Sequence, residues 1–149
     1  MTEPTSQLSR ITQGSLLEAY QRRLEESGAR GVSAYDQTFD NPPAGIGAHE
    51  IDANKIYRRV NQGELNILGY TRERMIGRPV LEFIVMTQTA ERAMVKKMTG
   101  ELELKPFVRT FIKADGSPVT LLLLDRLIRV RSGAVTGICT VLTEVAPEH

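Results

Sequence analysis

The side chains that could carry out chemistry are few and scattered in this sequence. There are only two histidines, His49 and His149, and a single cysteine. His49 lies in the run HEID, where Glu50 and Asp52 could join it as metal ligands. In a strand, however, His49 points away from Glu50 and Asp52, so one metal ion could not easily contact all three. The pattern favours a hydrogen-bonded structural histidine over a metal site.

Two arginines stand between apolar residues in predicted strands. Arg58 lies in KIYRRV and Arg109 lies in PFVRTFIKA. A guanidinium in such a place could hold a ligand carboxylate, because its planar donors match the two carboxylate oxygens. The alternative is a charge on an edge strand that discourages pairing between sheets, and we favour it for Arg58. Both interpretations stay open for Arg109.

The other candidate residues are apolar or weakly reactive. Methionine fills irregular space, so the methionines could line an adaptable cavity together with Phe83, or they could simply fill the core. Cys139 lies in the last predicted strand, where nothing nearby would activate a thiol, so an inert cysteine is expected. The full set of candidate cavity-lining residues is His49, Arg58, Met75, Phe83, Met86, Met94, Met98, Arg109 and Cys139.

Composition narrows the class of protein. The chain has 149 residues, 41% hydrophobic and 25% charged, which is ordinary for one globular domain with an extension. Its formal net charge of +1 gives no general attraction to nucleic acid. No run is long and apolar enough to span a membrane, and the single cysteine excludes an intrachain disulfide. We therefore expect a cytoplasmic protein without a nucleic-acid or membrane partner.

The N-terminal third predicts a tail, a helix and a linker. Residues 1–14 are polar and are expected to be flexible, and residues 29–42 are expected to be a linker closed by prolines. Ser15 and Glu18 have the spacing of a capping box, which predicts an amphipathic helix over residues 15–28. Such a helix must bury its apolar stripe against its own domain or a second copy. The predicted dimerisation residues are Leu16, Leu17, Tyr20 and Leu24.

Two very short helices follow a predicted hairpin made of GIGAHEID and KIYRRV. In VNQGELNILGYTRERMIGR, Asn61 is expected to cap the first helix, with Glu64 completing a capping box and Gly69 ending it. Thr71 is expected to cap the second, and Gly77 to end it. Neither helix is long enough to be stable alone, so both must wrap around something.

The C-terminal half predicts one longer helix and three strands. TQTAERAMVKKMTG has apolar residues every four positions, which is typical of a helix with one buried stripe. Asp115-Gly116 and Ser132-Gly133 predict hairpin turns between the strands. Leu121 to Leu124 do not alternate with polar residues, so both faces of that strand should be covered. The element order predicts an α+β fold with an antiparallel sheet.

Residues 43–146 resemble a PAS domain, the small sensor module of signalling proteins. The resemblance lies in IYRRVN ending at Asn61, LGYTRERMIGR from Leu68 to Arg78, KADGSPV from Lys113 to Val119, and the final strand ending in VLTEV. It implies a five-stranded antiparallel sheet with short helices on one face and a small internal cavity. It also implies an N-terminal helix that dimerises or passes on a signal. The implied function is sensing a small ligand or relaying a partner's state.

The resemblance also bears on cofactors and partners. Relatives that bind flavin covalently have a cysteine after the second short helix, and GRPVLEFIV has none, so a covalent flavin is not expected. Haem would need His49, Met94 or Met98 as its ligand and is not expected either. With only APEH after VLTEV, output is expected through a partner, through the N-terminal helix or through a portion removed from a longer protein. The expected partners are a second copy in a homodimer and an effector such as a kinase or regulator. A ligand-free interaction scaffold is the main alternative, and a small enzyme using His49 the weaker one, because no nucleophile and base pair is recognisable.

Overall fold

One antiparallel sheet organises the described part of the chain. The structure, a computed structural model, describes the backbone of residues 3–85 and 104–145 and the side chains of residues 10–85 and 104–145. In these residues five strands pair in the order β2-β1-β5-β4-β3. Their bounds are β1 Ile46–Asp52, β2 Tyr57–Val60, β3 Phe107–Ile112, β4 Pro118–Arg129 and β5 Val135–Glu144. The predicted α+β fold with a five-stranded antiparallel sheet is confirmed.

Helices lie on both sides of this sheet. Two precede it in the chain, α1 Glu3–Arg30 and α2 Val32–Asp40. Among the described residues, three short ones follow β2, namely α3 Gln62–Leu68, α4 Arg72–Met75 and a single 3₁₀ turn over Val80–Phe83. No helix in the described residues is long and apolar enough to cross a membrane.

The predicted caps of the short helices are confirmed. The Asn61 side chain accepts a hydrogen bond from the backbone N–H of Glu64 at 3.1 Å. The Thr71 hydroxyl accepts one from the backbone N–H of Arg74 at 3.3 Å. Gly69 follows α3 with a φ of 84°, a left-handed conformation that costs glycine little. These short sequences therefore fix where each helix begins, while tertiary packing stabilises it.

Both faces of the sheet are buried, and each packs against different helices. The inner face, with Leu121 and Leu123, packs against the short helices. The outer face, with Leu122 and Leu124, packs against α1 and α2. The four consecutive leucines therefore serve two separate cores, as their lack of alternation predicted.

Helix α1 begins twelve residues before the predicted start at Ser15, so the predicted tail over residues 1–14 is wrong from Glu3 onward. Pro4 stands in the first turn, where its missing N–H costs nothing. Gly14 does not end the helix, because glycine in a helix interior costs only about 1 kcal/mol. It is buried facing Pro106, which a Cβ at this position would approach to 3.8 Å.

The predicted linker over residues 29–42 contains the second helix, so that prediction is wrong as well. Gly31, with a φ of 128°, makes the break between α1 and α2. Tyr35 and Phe39 lie one helical turn apart, and their rings stack at 6.0 Å. This spacing was the sequence signal for α2, and it puts both rings against the outer-face core.

The predicted longer helix in TQTAERAMVKKMTG lies outside the described residues. The candidate cavity residues Met86, Met94 and Met98 lie outside them too.

Candidate functional site

A small cavity lies on the inner face of the sheet. Its volume is about 30 Å³, counted as space open to the centres of water molecules. That is enough for a few waters and far below the roughly 300–1,000 Å³ of pockets for drug-sized ligands. Most of its wall is apolar, and four polar side chains reach it from four different strands. These four are His49, Arg109, Asp125 and Thr140.

His49 belongs to a buried polar network. Its Nδ1 lies 2.6 Å from Oε1 of Glu64, and the Tyr57 hydroxyl donates to Oε2 of Glu64 at 3.0 Å. His49 is 2% exposed and the other two residues are 0% exposed. Burial, and then the Glu64 carboxylate, raise the pKa of Tyr57 well above its usual value, so its hydroxyl keeps the proton it donates. As predicted, His49 is hydrogen-bonded within the core.

Glu64 reaches His49 because α3 lies very close to β1. Gly47 on β1 and Gly63 on α3 meet backbone to backbone, and a Cβ on either would overlap the other element. The Asn61 side chain also accepts from the backbone N–H of Ala48 at 2.8 Å, which ties the start of α3 to β1. The predicted capping box is therefore wrong in its second half. The backbone N–H of Asn61 bonds to Ala48, and the Glu64 carboxylate goes into the core.

Thr140 and Asp125 extend the polar group across the sheet. In the strand register, His49 stands opposite Thr140, and Thr140 stands opposite Asp125. The Thr140 hydroxyl donates to Asp125 at 2.7 Å. Neither residue was a candidate from sequence. Each is a polar residue within an apolar run, at a position whose side chain points to the inner face because side chains alternate along a strand. This alternation was the sequence signal that could have identified both residues.

Arg109 enters the same cavity from β3. Its guanidinium lies over the Phe107 ring at 5.0 Å, and the side chain is half-buried. Burial lowers the pKa of Arg109, and the field of Asp125 opposes this shift without cancelling it. The structure thus brings His49 and Arg109, two of the sequence candidates, to one site.

Other candidates lie elsewhere. Met75 and Phe83 are buried in the inner-face core but are not part of the cavity wall. Arg58 is an exposed side chain on the edge strand β2, where it pairs with Asp52 at 2.6 Å. Its proposed role in lining the cavity is therefore wrong, and its position fits the edge-strand alternative. Among the described residues, no three histidine, cysteine or acidic side chains are grouped to hold a metal ion.

Cys139 is not a cavity residue. It lies on the outer face, in the core beneath α1 and α2, and is 0% exposed. Its Sγ lies 3.6 Å from the hydroxyl of Tyr35, which also bonds to Glu50. Burial raises the pKa of Cys139 to about 11, because Arg126 nearby offsets only part of the desolvation. Consecutive strand residues face opposite sides, so Ile138 and Thr140 reach the cavity and Cys139 does not.

The buried thiol leads to a testable expectation. At pH 8 we expect iodoacetamide to label native Cys139 about 100-fold more slowly than the same residue in urea, because only the thiolate reacts. Intact mass measured over time follows the reaction, and the single cysteine makes the assignment unambiguous. Equal rates in the native and unfolded protein would contradict the buried position.

Three of the four predicted dimerisation residues are already in contact with this chain's own sheet. Leu17, Tyr20 and Leu24 are buried in the outer-face core, and Leu16 is 51% exposed. Gln21, on the same helix, also bonds to the sheet. Its Nε2 donates to the backbone carbonyls of Leu124 at 3.1 Å and Cys139 at 3.0 Å. The dimer itself stays a prediction.

Comparison with known proteins gives the family. The family model described as PAS fold matches residues 34–145, and the chain belongs to this family. PAS domains are in general sensory modules rather than enzymes, and the predicted resemblance is confirmed. No curated protein sequence matches the chain.

Solved structures give the same fold. The PAS domain of an HTR-like protein from Haloarcula marismortui is 21% identical, with a TM-score of 0.60 over 86% of this chain and 99% of that one. A PAS domain from Colwellia psychrerythraea is 16% identical, with a TM-score of 0.63 over 76% and 95%. A PAS domain from a two-component sensor histidine kinase is 12% identical, with a TM-score of 0.53 over 68% and 86%. Similarity at these identities shows the fold alone.

Proposed function

We propose that this chain is the sensory module of a cytoplasmic signalling protein and binds a small molecule in the inner-face cavity. The supporting observation is the convergence of His49, Arg109, Asp125 and Thr140 on one cavity in an otherwise apolar core. Polar groups in a core are costly unless they are satisfied, and four strands each contribute one here. These four side chains supply the charged and hydrogen-bonding groups by which the cavity would recognise a polar molecule.

A route for the signal runs through β1. His49 faces the cavity, while the next residue, Glu50, faces the outer layer and bonds to the Tyr35 hydroxyl of α2. A ligand that shifts His49 would therefore also shift Glu50 and the helix bonded to it. The output is proposed to pass from α1 and α2 to an effector such as a kinase or regulator.

The second candidate is a ligand-free interaction scaffold, which the small volume of the cavity favours. Native mass spectrometry of the intact purified chain separates the two. A sensor is expected to retain a small molecule that is lost on denaturation and is absent from Ile138→Phe, which fills the cavity wall. Val135→Phe, at the far end of the same strand, is the matched control. A bare protein mass in all samples would favour the scaffold.

An enzyme that uses His49 is the least supported of the three candidate functions. A substrate could reach the imidazole only through the cavity, because His49 is 2% exposed. Turnover abolished by His49→Ala would be needed to support it.

We also propose that the chain dimerises through the outward face of α1. With Leu17, Tyr20 and Leu24 occupied, the large apolar side chains that stay exposed in the described part of α1 are Leu16, at 51% exposed, and Ile11, at 65% exposed. Sedimentation velocity at micromolar concentration is expected to show a dimer, and Leu16→Glu a monomer, since a buried unpaired charge is costly. Val32→Glu, at a residue 78% exposed on α2, is the control and should stay dimeric. A monomeric parent protein would refute the dimer.

A further inference from the structure

The wall of the inner-face cavity carries charges of both signs. Arg109 on β3 and Asp125 on β4 both line it. Asp125 is committed to the protein itself, because it accepts the Thr140 hydroxyl at 2.7 Å and has a further interaction besides. Its charge also acts on Arg109. Among the described lining residues these two charges oppose each other, so the wall favours neither an anion nor a cation.

Arg109 supplies hydrogen-bond donors to the cavity. Its guanidinium lies over the Phe107 ring at 5.0 Å, and within the described residues it takes part in none of the ion pairs, which join other residues. A guanidinium has five N–H donors, and its attraction to a ring does not require a hydrogen-bond acceptor. Arg109 can therefore donate to an oxygen atom of a ligand.

His49 supplies an acceptor. Both oxygens of Glu64 are bonded, one by the Tyr57 hydroxyl and one at Nδ1 of His49. A carboxylate bonded at Nδ1 keeps the proton there and leaves Nε2 as an acceptor. His49 lines the cavity, so a ligand with an N–H group can donate to Nε2.

We infer that the cavity binds a small, uncharged primary amide, whose carbonyl oxygen accepts from Arg109 and whose N–H group donates to Nε2 of His49. A primary amide carries an acceptor and two donors on one planar group without a net charge. Asp125 stays with its partners in the protein and is assigned no contact with the ligand. The inference rests on the proposed function, since it names the class of ligand for the same site.

Charged relatives of the amide fit less well. A carboxylate has no donor for Nε2 of His49, and it would lie in the field of Asp125. An amidinium has no acceptor for Arg109, and the two cations would repel each other. The cavity volume of about 30 Å³ restricts the ligand to an amide with little or no substituent, because this is room for about two or three waters.

NMR titration of the intact, dialysed, nitrogen-15-labelled protein tests this with three probes of one shape. Formamide, formate and formamidinium differ only in whether oxygen or nitrogen stands at each end of the molecule. We expect formamide to bind with a millimolar Kd, near the limit for so few atoms, and at least about tenfold more tightly than either ion. The backbone signals of Ile138 and Thr140 report binding, with ionic strength held constant.

A variant of Arg109 locates the carbonyl end of the ligand. Arg109→Met is expected to weaken formamide binding by about tenfold, while formamidinium should bind no more weakly than before because its repulsion by Arg109 is gone. Arg58→Met is the matched control, since it makes the same change at an exposed arginine outside the cavity and should leave both affinities unchanged. Circular dichroism confirms that each variant is folded. Should Arg109→Met unfold the domain, the three probes on the parent protein still decide the outcome.

The possible results separate this inference from the sensor function. Formate or formamidinium binding as tightly as formamide would overturn the neutral amide in favour of an ion site. If formamide does not bind but the chain retains a different small molecule in native mass spectrometry, the sensor function stands while this inference fails. If nothing is retained and no probe binds, both fail.

Discussion

Replacing Glu64 with alanine is expected to lower the free energy of unfolding by about 3–5 kcal/mol, because it leaves two buried polar groups without an acceptor, at about 1–3 kcal/mol each. The Glu64 side chain is fully buried, and its two oxygens hold His49 and Tyr57. Without the carboxylate, both of those polar groups would stay in the core without an acceptor. Urea unfolding followed by circular dichroism gives the difference as a lower midpoint at an unchanged slope.

Two further variants serve as comparisons for Glu64→Ala. Glu64→Gln keeps the shape and an oxygen for Tyr57, so we expect a smaller loss of about 1–2 kcal/mol. Glu73→Ala removes an exposed carboxylate from the first turn of α4 and should cost at most about 1 kcal/mol. If Glu64→Ala were no more destabilising than Glu73→Ala, the buried network would not hold α3 on the sheet.

Asn61→Ala is expected to be the second most damaging change, at about 3–4 kcal/mol. The loss combines a helix cap with two buried backbone groups that would lose their partner. Besides capping α3, the Asn61 side chain accepts from the N–H of Ala48 at 2.8 Å and donates to the carbonyl of Phe39 at 2.9 Å. One amide thus joins β1, α2 and α3.

Thr71→Ala is the matched control for Asn61→Ala. Both residues are helix caps, but Thr71 is exposed, and its hydroxyl bonds to the backbone of Arg74 at its own helix start. Its loss should cost about 0.5–1 kcal/mol. Equal losses for the two caps, measured by the same urea unfolding, would show that Asn61 acts only locally.

Local sequence patterns were sufficient to predict those features of the fold that depend only on residues adjacent in the chain. The caps at Asn61 and Thr71 and the turns at Gly116 and Gly133 need only a few adjacent residues. The four leucines of β4 also predicted two covered faces, because side chains alternate along a strand whatever it packs against.

The parts that failed depend on distant contacts. Glu64 has the spacing of a capping box, and only the close approach of Gly47 and Gly63 decides that it bonds to His49 instead. Residues 1–14 were predicted to be a flexible tail, yet Gly14 packs toward Pro106 inside a long helix.

The prediction of which residues line the cavity failed for a related reason. Side chains alternate along a strand, so Cys139 must face the opposite side of the sheet from Ile138 and Thr140. The alternation does not say which of the two sides faces the cavity. That depends on which helices cover each face of the sheet, and Arg58 and Cys139 were assigned to the cavity without that knowledge.

The central claim is that the inner-face cavity holds a small polar molecule. A crystal structure of the intact chain as purified, of a quality that resolves ordered water, tests it most directly. The account predicts non-protein density larger than water between Arg109 and Asp125, in contact with the His49 ring. A cavity filled by side chains, or one that contains only water, would contradict it.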